Sequence, residues 1–145
     1  MHDLGRNEDR LRGTYEFPFE FHHIDSSHPR YVMSYHWHVE CEIMRVLQGT
    51  LTVTLDEKSF TATAGDIIFV HSGILHSGIP EDCVYQCIVF DGNTFLKNNS
   101  VCAGYMQKII HQEILIYHHF TPKYVDICAT VNSLFDALWK KPSGY

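Results

Sequence analysis

Three side chains of types that bind metal ions lie within seven residues of one another: His36, His38 and Glu42. A fourth, His76, follows in the segment that spans residues 65–78. The surrounding sequence favours strand, and side chains two apart on a strand share a face, so His36 and His38 present both imidazoles to one point. If the chain turns at residues 39–41, Glu42 returns toward that point from the next strand. We predict a site of three imidazoles and one carboxylate for a divalent transition metal such as Zn, Ni, Fe or Mn.

The spacing of these residues resembles two motifs of the cupin superfamily. The first, G-x5-H-x-H-x3/4-E-x6-G, is matched from residue 30 to Gly49, with Arg30 in place of the leading glycine. The second, G-x5-P-x-G-x2-H-x3-N, is matched from residue 65 to residue 80, with His71 at the usual proline and Pro80 at the usual asparagine. The resemblance implies an all-β cupin barrel, a double-stranded β-helix or jelly roll, followed by a C-terminal α-helical segment.

The sequences HWHVECEI and GDIIFVHSGILHSG more narrowly resemble the N-terminal sensor domain of AraC-type transcription regulators. Such domains bind a small organic effector and often lose some of the metal ligands, whereas this chain keeps all four. The resemblance therefore implies an effector-sensing and dimerisation domain that binds a small molecule, and the four retained ligand positions predict a divalent metal beside it. It also implies that DNA is bound only through a helix-turn-helix domain that is absent from this chain.

Short alternating segments bounded by Gly, Asp or Pro predict a barrel over residues 1–92. The predicted strands are residues 15–23, 31–38, 42–47, 51–55, 60–63, 67–70 and 84–90. We expect residues 31–38 to pair with 42–47, and Gly49 with Thr50 to form a hairpin turn. The polar residues 1–14 form an arm, which is either a cover for the barrel mouth, as the resemblance implies, or a frayed terminus.

The sequence period changes after residue 92, and we predict a helical segment over residues 93–145. Residues 93–111 are helical or irregular, and 109–117 are ambiguous between helix and strand. Thr121 as N-cap and Pro122 at the first helical position predict a helix start. An apolar stripe follows at intervals of three and four residues: Tyr124, Ile127, Cys128, Val131, Leu134, Phe135 and Leu138. It either packs on the barrel wall or pairs with a second copy, and the resemblance favours a homodimer through this helix.

Composition and charge limit the function classes. A chain of 145 residues with 45% hydrophobic residues fits one globular domain. The formal charge of −6 and the lack of clustered Lys and Arg argue against direct contact with nucleic acid. No signal peptide or apolar run of membrane-spanning length is present. The five cysteines follow no CxxC spacing, so we expect buried free thiols and a cytoplasmic location.

Strand parity extends the predicted site beyond the four metal ligands. Met44 follows Glu42 on the inward side. Gln86 on the closing strand offers a polar contact, although nothing in the sequence fixes which face of that strand points inward. Both are predicted to bind the effector. Glu40 is expected to be solvated in the turn. The favoured interpretation is a regulator domain without enzyme activity. The alternative is a small metal-dependent cupin enzyme, a dioxygenase or an isomerase, because four protein ligands leave coordination positions open.

Overall fold

The computed structural model describes residues 19–91 and 118–140. The predictions for the arm at 1–14 and for residues 93–117 lie outside these ranges. The described chain contains seven strands and one helix: β1 (Phe19–Ile24), β2 (Met33–His36), β3 (Cys41–Leu55), β4 (Lys58–Thr63), β5 (Ile67–Val70), β6 (His76–Phe90), β7 (His119–Phe120) and α1 (Val125–Trp139). The predicted all-β cupin fold with a C-terminal helix is confirmed.

Two long strands organise the sheet. β3 and β6, each of 15 residues, run antiparallel beside one another over their whole lengths. The strand order is β1-β6-β3-β5-β7, with β2 on the first part of β6 and β4 on the second part of β3. The predicted pairing of residues 31–38 with 42–47 is therefore wrong. Both edges of β3 are taken there by β5 and β6, so β2 pairs with β6 instead and sets His36 opposite His76.

Gly49 lies inside β3, so the predicted hairpin turn at Gly49 and Thr50 is wrong. The register between β3 and β6 shifts on either side of Gln48, which is the mark of a β-bulge. Gly49 takes φ of +74° and Asp82, on the facing part of β6, takes φ of +45°. The inward side chains of β3 are even-numbered before this point, as at Met44, and odd-numbered after it, as at Leu51. The glycine that suggested a hairpin turn between two strands is therefore part of a β-bulge within one strand.

Apolar side chains fill the inside of the barrel and cover part of its outside. The interior cluster is made of Ile24, Met44, Val46, Leu51, Val53, Leu55, Ala62, Ile68, Val70, Cys83, Tyr85 and Cys87. On the outer wall, Phe135 and Leu138 of α1 pack with Ile88 and Phe90, and Cys128 packs with Ile67. The barrel-facing part of the predicted apolar stripe therefore contacts the wall.

The helix begins later than predicted. Tyr124 is the N-cap and no side chain caps the helix, so the predicted N-cap at Thr121 is wrong. The carbonyl of Thr121 accepts a hydrogen bond from the Tyr124 backbone N–H at 3.0 Å, which places Pro122 in a turn before the helix. Pro122 approaches Gly65, so this turn lies against the loop before β5.

A buried arginine joins α1 to the wall. Arg45 donates to Gln86 Oε1 at 2.8 Å, to Asn132 Oδ1 at 3.1 Å and to Asp136 Oδ1 at 2.9 Å. Its guanidinium lies 4.9 Å from the centre of the Phe135 ring. Fixed donor geometry of this kind orients the helix more specifically than apolar packing alone.

Candidate metal and effector site

The four predicted metal ligands converge. One ligand atom from each of His36, His38, Glu42 and His76 can be chosen so that all four lie within 4.8 Å of one another. The imidazole of His36 is centred 4.2 Å from that of His76 and 5.5 Å from that of His38, and the latter two are 5.0 Å apart. Three of the four residues are buried, and His36 is half-buried. This spacing is compatible with a single ion bound by all four side chains.

The strands bring these residues together through their pairing. His36 ends β2 and lies opposite His76, which begins β6. Glu42 is the second residue of β3, between Val70 of β5 and Val89 of β6. His38 lies in the connection from β2 to β3 and is fixed by the backbone of Gly73, whose N–H donates to its carbonyl oxygen at 2.8 Å. Four separate segments therefore supply the site.

All three histidines are held in the same way. The Nδ1 of His36 lies 2.8 Å from the Ser34 carbonyl, that of His38 lies 2.9 Å from the Glu40 carbonyl, and that of His76 lies 2.7 Å from the Ile74 carbonyl. A carbonyl only accepts, so each Nδ1 must carry the proton. In a neutral imidazole, Nε2 then keeps its lone pair. Fixing the tautomer through a backbone carbonyl is a common arrangement around metal-binding histidines.

Glu42 completes the donor set as an anion. Its Oε1 lies 3.1 Å from His38 Nε2 and 3.5 Å from His76 Nε2. Burial acts to raise the pKa of this carboxyl, but hydrogen bonds and positive charge from His38 and His76 hold the pKa well below its usual value. The carboxylate is therefore ionised at neutral pH. Without a metal, protons on Nε2 of His38 and His76 supply these hydrogen bonds, and a bound metal ion would replace those protons.

The quartet opens into a cavity of about 120 Å³, which has room for a small ligand only. Its lining combines apolar and polar side chains: His22, Ile24, Arg30, Val32, Met33, Ser34, His36, His38, Glu42, Tyr85, Cys87 and Val89. Arg30 and Val32 are exposed, so they border the mouth, whereas the metal-ligand end is buried.

Three other residues that the sequence analysis considered, Met44, Gln86 and Glu40, do not line this cavity. Met44 is fully buried in the interior cluster but does not line the cavity. Gln86 faces the outer wall, where Arg45 donates to it and its Nε2 lies 2.8 Å from His23 Nδ1. Glu40 is 8% exposed, so the expectation that it is solvated in the turn is wrong. His38 and Glu40 are both buried in this turn.

Sequence reasoning did not identify the rest of the lining. In the sequence, Arg30 stands out only as a departure from a motif glycine. Tyr85 and Cys87 lie on the inward face of β6. Parity could have identified Cys87 once the face of β6 was known. No sequence signal placed the loop that carries Arg30 at the mouth.

The four described cysteines are free and buried, as expected. Burial raises the pKa of the Cys83 thiol to about 11. Burial, the charge of Glu42 and a hydrogen bond with Glu42 raise the pKa of Cys87 well above its usual value. Both thiols are therefore protonated at neutral pH, the form that reacts poorly with alkylating reagents.

We expect iodoacetamide at pH 8 to label Cys83 and Cys87 at least about tenfold more slowly in the folded protein than in urea. Peptide mapping by mass spectrometry measures both rates. Since the folded pKa is the higher one, the stability from these thiols is complete below the unfolded pKa and is lost as pH rises toward 11. The unfolding free energy should fall over that interval. Equal labelling of folded and unfolded protein would contradict the buried placement.

Comparison with known proteins agrees with this architecture. A family model described as the AraC-like ligand binding domain matches residues 18–143. An 85-residue stretch is 27% identical to the uncharacterized HTH-type transcriptional regulator YdeC of Bacillus subtilis strain 168. That match covers 57% of this chain and 29% of the regulator, so the chain spans less than a third of the length of this curated relative.

Solved structures with similar strands include a cupin-2 domain containing protein from Shewanella frigidimarina, at 19% identity and a TM-score of 0.40. The match covers 50% of this chain and 68% of that one. An HTH_3 family transcriptional regulator from Vibrio cholerae is 23% identical with a TM-score of 0.43, over 53% of this chain and 45% of its own. Within the described residues, no helix is both long and apolar enough to cross a bilayer.

Proposed function

The chain belongs to the AraC-like ligand binding domain family, and we propose that it is the effector-sensing and dimerisation domain of a transcription regulator, with a divalent metal as part of its effector site. One observation carries the metal part of the proposal. Three imidazoles whose Nδ1 atoms donate to backbone carbonyls each offer a ligand atom within 4.8 Å of the others and of the Glu42 carboxylate.

The donor set fits a borderline divalent ion. Neutral imidazole nitrogens with one carboxylate oxygen suit Zn, Ni, Fe or Mn better than a hard ion such as Ca²⁺. His36, His38, Glu42 and His76 would hold the ion, which would act as a Lewis acid toward oxygen or nitrogen atoms of a ligand in the cavity. The chain itself supplies the orientation, because each ring is fixed by a carbonyl two residues away.

A sensory role is favoured over catalysis by what surrounds the quartet. The cavity residues beyond the metal ligands include one arginine, one serine and one tyrosine. The Tyr85 hydroxyl donates to the Tyr31 carbonyl at 2.9 Å and its pKa is raised by burial, so it is engaged with the backbone. His22 also lines the cavity, but its Nε2 lies 2.6 Å from Oε1 of Glu20, which does not line it. In the described lining, no acid–base pair apart from the ligands has both members facing the cavity, which favours binding without turnover.

The family supports a link from the barrel to a dimer and to DNA. The side chains of Ile127 and Leu134, seven residues apart on α1, are 40% and 38% exposed, and they form an apolar edge beside the wall-facing stripe. We propose that this edge contacts a second copy of the chain, and that DNA is bound by a helix-turn-helix domain elsewhere in the parent protein. The free thiols support a cytoplasmic location.

Metal analysis of protein purified without an affinity tag tests the site. We expect about one transition metal ion per chain, released as pH falls because protonated imidazoles cannot coordinate. Elemental analysis by mass spectrometry gives the ratio, and anomalous scattering from crystals locates the ion. Metal-free protein that also fails to bind added Zn²⁺ or Ni²⁺ would refute the metal proposal.

The enzyme alternative rests on the same quartet, since four protein ligands leave positions for O₂ or substrate on a six-coordinate ion. A panel of diols, thiols and aromatic compounds incubated with Fe(II)-loaded protein and O₂ tests it. We expect no turnover above that of free iron. Turnover that is lost with metal removal would establish the enzyme in place of the sensor.

A further inference from the structure

The charged residues around the cavity indicate the charge of the ligand that it would bind. Among its lining residues, Glu42 is the only carboxylate, and it is enclosed by His38 and His76. His22 is compensated by Glu20, whose Oε1 lies 2.6 Å from its Nε2. Arg30 lies at the mouth, and its guanidinium carries five N–H donors, enough to bind a ligand while Arg30 keeps other contacts within the protein. A divalent ion outweighs the single charge of Glu42, so the metal-loaded cavity is positive overall.

The remaining lining residues indicate the polarity of the rest of the ligand. Ile24, Val32, Met33 and Val89 give an aliphatic surface. Tyr85 is the single phenyl-type ring among the described lining residues, and its hydroxyl is already engaged with the Tyr31 carbonyl. A sugar would need several polar partners and a stacking surface, and this lining offers few of either. A short aliphatic body with one anionic end matches it better.

We propose that the effector is a small aliphatic carboxylate and that Arg30 is the residue that selects for its charge. The inference rests on the proposed function, because the metal supplies part of the positive charge. Arg30 occupies the position of the leading glycine in the first motif, and the structure brings that position to the cavity mouth. A guanidinium there attracts a carboxylate and has the geometry to bind it through two N–H groups.

The experiment compares an acid with its neutral isostere on Ni²⁺-loaded protein by isothermal titration calorimetry. The probes are 2-hydroxybutyrate, 2-hydroxybutyramide and glucose, and nickel content is measured on the same samples. We expect the acid to bind at least about tenfold more tightly than the amide, and glucose not to bind. Arg30→Gln should weaken binding of the acid by about tenfold and change binding of the amide by less than about twofold.

Lys58→Gln is the matched control, because it removes one positive charge from the exposed start of β4, and Lys58 does not line the cavity. It should leave both affinities unchanged. Equal binding of acid and amide, no binding of the acid, tighter binding of glucose or an unaltered Arg30→Gln variant would each overturn the inference. When nickel is present at one per chain, such a result leaves the metal site intact. Absence of nickel would refute the metal site and this inference together.

Discussion

Replacing Gly49 with alanine should destabilise the folded protein by about 4 kcal/mol or more. A Cβ on Gly49 would lie 2.1 Å from the carbonyl oxygen of Asp82 and 2.5 Å from that of Glu81. These are backbone atoms of β6, so no side-chain rotation relieves the contact. The φ of +74° adds a conformational cost of about 1–2 kcal/mol for an L-residue. Separating β3 from β6 at the bulge brings the total to about 4 kcal/mol or more, a large part of a typical domain stability.

Gly73→Ala is the matched control for that variant. Gly73 has nearly the same φ, +78°, but a Cβ there would meet no atom within 4 Å. It should therefore lose only the conformational part, about 1–2 kcal/mol. Urea unfolding followed by circular dichroism measures both. If the two variants unfold at the same urea concentration, the close approach of β3 and β6 at Gly49 is not present in solution.

The strands could be predicted from the sequence but their register could not, and Gly49 shows why. Alternation of apolar and polar residues identifies residues 51–55 as strand, and a short apolar run bounded by turn residues identifies Ile67–Val70. A bulge shifts parity without any distinct composition, so Gly49 resembled a hairpin residue. Its identity as a bulge depends on Asp82, more than thirty residues away. Likewise, β2 pairs with β6 because β5 and β6 occupy both edges of the first part of β3.

The four metal ligands could be predicted from their spacing, whereas the parity shift at the bulge hid the face of β6 on which Gln86 lies. His36 and His38 were recognised from their mutual spacing, Glu42 from its own spacing to His38, and His76 from the second motif. Gln86 is opposite in parity to Tyr85 and Cys87, which face inward because both long strands change parity at the bulge. Counting evenly from the inward His76 would point Gln86 into the barrel. The irregularity turns it toward Arg45 and α1.

Glu42→Gln should lower metal affinity by about a hundredfold or more while the barrel stays folded. The amide keeps the size of the carboxylate, but it removes the anionic ligand that lies 3.1 Å from His38 Nε2 and 3.5 Å from His76 Nε2. Its NH₂ group can donate to the Nε2 lone pairs that would otherwise bind the ion. Competition with a chelating indicator dye, using Zn²⁺ and then Ni²⁺, gives the affinities of the variant and the parent protein.

Glu40→Gln makes the same chemical change two residues away and separates ligation from general electrostatics. Its carboxylate is also buried, but its Oε1 lies 3.9 Å from His38 Nδ1, on the far side of that ring from the quartet. The backbone carbonyl that fixes His38 belongs to Glu40 and is untouched by the substitution. Metal affinity should therefore fall by about tenfold, through charge alone, which is much less than in Glu42→Gln. Equal losses in the two variants would mean that total negative charge retains the ion, and that Glu42 is not one of its ligands.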